Sequence, residues 1–227
     1  MNMHTNGDTD EGSEGPRTLG KGRMDAFSDG VFAIAITLLV LDLAIRPPGS
    51  PFAQFQRGWS TYLAYFGSFI TIGSAWVAHN SLTDRLERVD PILLRLNILF
   101  LMFIAFLPFP TKLVAEALDE HEPAQRVASV VYGLTLLMIR IVFALLAAYA
   151  RREHLRQPGA DDADLQDARR KFAIVVVVYS IAIGIALIAP IVAIVIYLLI
   201  AVFLSFPCAR RRSSIDEHRS AEWSVSP

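Results

Sequence analysis

The sequence predicts an all-α integral membrane protein with six transmembrane helices and both termini on the cytoplasmic side. Three observations carry that expectation. Of 227 residues, 53% are hydrophobic and 19% charged, with a mean hydropathy of +0.42, outside the range of an ordinary soluble domain. Six apolar runs have about the length, roughly 17–25 residues, that a helix needs to cross a hydrocarbon core of about 30 Å. Finally, fifteen of the 21 Lys and Arg residues fall in connections that an N-inside topology places in the cytoplasm, against four on the other side. That asymmetry follows the positive-inside rule.

In chain order, residues 1–22 are polar, rich in Gly, Asp, Glu, Ser and Thr. They are expected to form a disordered cytoplasmic tail rather than a cleaved signal peptide. The apolar runs are 26–45, 59–79, 92–109, 127–149, 172–189 and 191–206, so a six-helix transmembrane domain occupies 23–206 and a second polar tail 207–227. Only Ala189-Pro190 separates the last two runs, and an alternative reading fuses them into one broken helix. Two spans are preferred, because a single helix over 172–206 would be roughly 52 Å long at 1.5 Å per residue. The cytoplasmic charges are Arg17, Lys21 and Arg23, then Arg85 and Arg88, six between Arg151 and Lys171, and four from Arg210 to Arg219. Residues 151–170, with Gln157-Pro158-Gly159 and four Asp, read as a cytoplasmic loop.

Composition also excludes functions. A net charge of −1 gives no field suited to nucleic acid. The single cysteine, Cys208, rules out an intrachain disulfide or a cysteine-based metal site, so neither metal nor cofactor is expected. Gly-x-Ser-x-Gly, His-Glu-x-x-His and a phosphate-binding Gly loop are all missing, so the chain is not expected to be an enzyme.

The first run is the most informative. Arg23-x-x-x-Phe27-Ser28-Asp29 leads into Gly30-Val31-Phe32-Ala33-Ile34-Ala35-Ile36-Thr37-Leu38-Leu39-Val40-Leu41. An acidic residue inside an apolar helix is costly and needs a partner, so Asp29 is structural or functional. With about 100° per residue, Ile34, Leu38 and Leu41 fall about 140°, 180° and 120° away from Asp29. They form one stripe that faces away from the carboxylate. Unaided, such a stripe reads as a lipid-facing or packing surface.

This segment resembles the signature of the transmembrane protein 175 family, potassium channels of prokaryotes and endolysosomes. The second run ends Trp76-Val77-Ala78-His79-Asn80, similar to the family's Trp-x-x-His ending. The third, Arg95-Leu96-Asn97 through Leu107-Pro108-Phe109-Pro110-Thr111, resembles its third helix and Pro-rich exit. A single six-helix unit resembles the prokaryotic members, which are homotetramers. The resemblance implies a multi-pass cell-membrane potassium channel whose partners are K+ ions, membrane lipids and three further copies of itself, with four first helices lining a central pore. It implies a constriction at Ile34, with Leu38 and Leu41 further along. It also implies a polar network of Arg23, Phe27, Ser28, Asp29, Trp76 and His79 holding the first helix. Asn80 stands where the family often has a second histidine. No Thr-Val-Gly-Tyr-Gly filter is present, so selectivity is expected at the Ile34 ring, with a contribution from Thr37, and gating by dewetting.

The competing reading is a small proton-coupled secondary transporter using Asp29. Transporters commonly show internal repeats and helices broken at midplane. Here no clear repeat relates 26–109 to 127–206, and the first helix has no Pro or Gly after Gly30. For Asp29, capping or salt-bridging is favoured over proton relay, and for His79 a satisfied interfacial role over metal binding. Two small-residue pairs, Ser180/Gly184 and Ala144/Ala148, permit close helix packing. Arg140, in the middle of the fourth run, is consistent with snorkelling, ion pairing, an anion contact or an interface.

Overall fold

The computed structural model describes residues 20–41, 59–118, 122–151 and 163–205. The polar tails, Cys208, the basic cluster at Arg210, Arg211 and Arg212, and most of the 151–170 connection lie outside the described residues, as does the first run beyond Leu41. The described residues form seven helices: α1 (Lys21–Leu41), α2 (Trp59–Thr83), α3 (Pro91–Phe106), α4 (Pro108–Ala117), α5 (Glu122–Ala150), α6 (Ala163–Ala186) and α7 (Pro190–Ser205). No β-strand occurs among them. By length and composition α1, the continuous stretch Pro91–Ala117 and α5 suffice to cross a membrane, and Phe172–Ala186 and Pro190–Phe203 are shorter apolar helices. Helix α2 is 25 residues long and carries more hydroxyl and aromatic side chains than these.

Several boundaries differ from those expected. Helix α1 begins at Lys21 rather than near residue 26, because the Arg23 amide bonds back to the Gly20 carbonyl at 2.9 Å and winds polar residues into the helix. Lys21 and Gly22 thus leave the expected tail, and Asp29 sits two turns inside the helix rather than one. Helix α5 starts at Glu122, five residues early, with its first turns braced by an Arg126–Glu122 ion pair at 2.9 Å. Helix α6 starts at Ala163, which takes 163–170 out of the expected loop. Hydrogen bonding continues a helix past the apolar segment, so hydropathy understates its length.

The third run is broken. Pro108 has no N–H to offer, and the Leu107 amide instead closes on Ile104 at 3.2 Å. The chain restarts as α4 from that point, the usual effect of an interior proline. Lys112, expected in a loop, lies in α4. At the other end of α3, Asp90 caps the helix by accepting from the Leu93 amide at 2.7 Å, with Pro91 at the first position. Its second carboxylate oxygen accepts the Tyr149 hydroxyl of α5. Helices α6 and α7 fold back on each other across the break at Pro190, so they are two helices and not one.

Helix α1 packs against α2, α3 and α4, while α5, α6 and α7 pack pairwise with one another. Helices α3 and α4 lie against α5, and α2 lies against α4 and α7, joining the two groups. The two terminal helices bury mainly small or aromatic residues, Ala182 and Ala186 beside Tyr179, and Ala193 and Ala201 beside Tyr197. Their branched residues, such as Ile181, Ile191 and Val195, point outward. Helices in lipid pack in this way, since apolar bulk gains nothing by leaving an apolar solvent.

Candidate functional site

Helix α1 buries a narrow stripe, Met24, Ser28, Phe32, Ala35 and Leu39, with Val31 and Ile36 half-buried at its flanks, and leaves the opposite face exposed. At about 100° per residue, Thr37 lies opposite the middle of that stripe, with Leu41 and Ile34 within about 60° of it and Leu38 about 100° round. Ile34, Leu38 and Leu41 are 61%, 41% and 67% exposed. Beside them run Ala26, Gly30 and Ala33, also exposed, in register with Thr37 every three or four residues. The result is a smooth surface of small and aliphatic side chains with one hydroxyl at its centre. Thr37 donates that hydroxyl to the Ile34 carbonyl at 2.9 Å, so its oxygen lone pairs are turned outward. The open face therefore presents an acceptor rather than a donor at this position.

Behind α1 the polar residues divide into two sets. The indole N–H of Trp76 donates to Asp29 Oδ1 at 2.8 Å, on the exposed flank between α1 and α2. The second set is buried. Ser28 Oγ donates to the Met24 carbonyl at 2.8 Å, so its oxygen accepts, and it does so from Asn97 Nδ2 at 2.9 Å. Asn97 Oδ1 is then left to accept from His79 Nε2 at 2.7 Å. This chain of donors requires a proton on His79 Nε2, while the buried Nδ1 has no partner among the described residues. It ties α1, α2 and α3 together through one relay. Aromatic rings seal it: His79 stacks on Phe100 at 5.8 Å and 5°, and Phe32 lies 5.7 Å from the imidazole. In that low-polarity setting a satisfied relay is strong and a broken one costly.

Of the residues expected in the polar network, the structure thus brings Ser28 to His79 through Asn97, and Asp29 to Trp76. Arg23 and Phe27 are exposed and join neither set among the described residues. Asn97 is the residue that sequence reasoning quoted without giving it a role. An Asn in an apolar span is itself a signal, because its amide needs partners wherever it is buried. The Ser180/Gly184 pair does not act within the protomer, since both are exposed and nothing lies within 4 Å of a Cβ built on Gly184. Close approach occurs at Gly133 instead, against Tyr197.

Several long apolar helices, with a first helix that turns one whole face away from its own bundle, mark a multi-pass membrane protein with the build of a channel subunit. Residues 23–108 match the family described as "Endosomal/lysosomal potassium channel TMEM175". The chain is 38% identical over 189 residues to a potassium channel of Streptomyces collinus, covering 82% of this chain and 91% of that one. It is 32% identical over 200 residues to a potassium channel of a Chryseobacterium species, covering 87% and 99%. The crystal structure of a lysosomal potassium-selective channel TMEM175 homolog from Chamaesiphon minutus superposes with a TM-score of 0.70 at 32% identity, covering 82% and 96%. The chain belongs to the TMEM175 family, a family of ion channels and not of enzymes.

Proposed function

We propose that the chain is one subunit of a homotetrameric, potassium-selective channel with six membrane spans per subunit and both termini in the cytoplasm. In this reading four copies of α1 line the pore, with Ile34 at the narrowest ring and Leu38 and Leu41 beyond it. The observation that carries it is the exposed face of α1: an aliphatic stripe too well ordered along one side to be explained by packing within the protomer. The names of the relatives at 38% and 32% identity support potassium as the conducted ion. A ring of isoleucines narrow enough to shed water is a barrier without a plug, and dewetting gates it. Thr37, with its lone pairs outward one turn along, supplies the acceptors that replace part of an ion's hydration shell.

The two polar sets are assigned to positioning. They hold the back of α1 while its front faces the pore, and Arg23 and Phe27, exposed in the protomer, are assigned to the contact with the neighbouring subunit. Asp29 engaged by Trp76 favours that role over proton relay. The test is the reversal potential of the purified protein in a planar bilayer, with potassium on one side and sodium on the other. The expected result is a shift toward the potassium equilibrium potential. No resolvable current, with slow flux driven by a proton gradient, would transfer the case to a transporter.

A further inference from the structure

Away from α1, the corner where α5, α6 and α7 meet encloses polar side chains that the pore does not use. Tyr179 of α6 and Tyr197 of α7 are 0% and 1% exposed, with their rings stacked at 6.2 Å and 17°. Tyr132 of α5 lies 5.9 Å from the Tyr197 ring, and its hydroxyl is satisfied by Ser68 at 2.9 Å. The hydroxyls of Tyr179 and Tyr197 are not satisfied. Both are buried without a hydrogen-bond partner among the described residues, and so is Nη2 of Arg140.

Tyr179 links the other two groups. The Arg140 guanidinium acts directly on the Tyr179 hydroxyl, while its Nη2 is left without a hydrogen-bond partner. The Tyr197 hydroxyl is seated on Gly133, where a Cβ would stand 2.1 Å from it. Gly133 and Arg140 are two turns apart on one face of α5, and helical side chains lean toward the N-terminus, so Arg140 reaches back toward Gly133.

Buried donors without partners are costly, and an unpaired charge in a membrane span more so. Among the described residues no carboxylate of the packing elements pairs with it, and Asp90 at the start of α3 is taken by Leu93 and Tyr149. Glu122 is about five turns away on α5 and bonded to Arg126, and Asp29 is held by Trp76 on α1. Glu116 of α4 has its own interaction. Helices α2 and α7 carry no acidic residue, nor does α6 from Arg170 onward. A water molecule would satisfy the donors but leave the charge. One cation and two phenol O–H groups, contributed by three neighbouring helices, complement a small anion in both charge and hydrogen bonding. We infer that Arg140, Tyr179 and Tyr197 bind a small monovalent anion of the halide class, which neutralises Arg140 and joins α5, α6 and α7.

The test uses the full chain purified in detergent, in potassium chloride, potassium bromide or potassium gluconate at equal ionic strength, with thermal unfolding followed by tryptophan fluorescence. Chloride and bromide are expected to raise Tm saturably over gluconate. Tyr179→Phe and Tyr197→Phe keep the stacked rings, and each is expected to weaken the halide dependence about tenfold, the usual scale for one hydrogen bond to a charged group. Arg140→Met is expected to abolish it. Should that variant fail to fold, the two Phe variants and bromide anomalous scattering from crystals of the natural chain decide the question, with a peak expected between Arg140 and the two hydroxyls. Equal Tm in the three salts means water fills the corner and overturns the site. So does a halide shift with an unchanged midpoint in both Phe variants, or an anomalous map without that peak.

Discussion

Asn97 shows how much one buried amide can hold. It is the middle of the relay between His79 and Ser28, so Asn97→Ala strands a buried N–H on one side and leaves a serine oxygen unmatched on the other. Leaving such groups unsatisfied costs about 1–3 kcal/mol, and a lower Tm in detergent is the expected readout. An unchanged Tm would mean the relay does not hold α1. Asp29 separates two roles by a single atom type. Asp29→Asn keeps a carbonyl oxygen for the Trp76 indole, so assembly and potassium current should survive, whereas Asp29→Ala should lose the assembled channel. Loss of current in a fully assembled Asp29→Asn protein would instead point to proton chemistry at the carboxylate. At Ile34, exposed on the proposed pore face, Ile34→Asn is expected to raise single-channel conductance by making the ring wettable. Currents equal to those of the natural protein would remove Ile34 from the constriction.

Among the elements, the break between α3 and α4 matters most, because it sets where α4 lies against α2. Thr111, one turn after the break, meets Ser68 at 2.7 Å and still bonds its own Leu107 carbonyl. Ser68 in turn meets Tyr132 at 2.9 Å, so three helices depend on the angle at Leu107. Pro108→Ala combined with Pro110→Ala restores both missing N–H groups and lets Pro91–Ala117 run straight, which draws Thr111 from Ser68. The expected cost is that of one internal hydrogen bond, about 1 kcal/mol, seen as a modest fall in Tm. A rise in Tm would show that the bend is strain rather than design. Helix α1 depends on its neighbours differently. Its buried stripe is narrow and includes small residues, Ser28 and Ala35, which lets α2 and α3 flank it while its far side stays open.

For the whole molecule, the open side of α1 is the feature that calls for other copies of the chain. Among the described residues, nothing in one protomer covers Ile34, Leu38 and Leu41, and the proposed pore requires that several such faces meet. Native mass spectrometry in detergent should therefore find four chains of 25.1 kDa together. A monomer that still carries potassium current would dismiss α1 as a shared pore wall. The three terminal helices stand apart from this surface, with α6 and α7 leaving aliphatic residues exposed on their own outer side. The proposed anion corner and the proposed pore therefore test independently.

Local physics made the helices readable from the chain alone. Apolar length is a property of consecutive residues, and so is the rotation that sets Ile34, Leu38 and Leu41 apart from Asp29. The signature in the first helix was equally legible, because it is contiguous. What only the tertiary structure decided is who meets whom. Trp76 goes to Asp29 while His79, three residues on, goes to Asn97, a split that depends on how α2 is turned between α1 and α3. Arg23, expected in the same network, stays on the open face. The Tyr179, Tyr197 and Arg140 corner draws on two turns of α5 and on both terminal helices, and no spacing in the sequence announces it. Contacts across helices follow from their tilt and rotation, and these are set by where small residues such as Gly133 allow close approach.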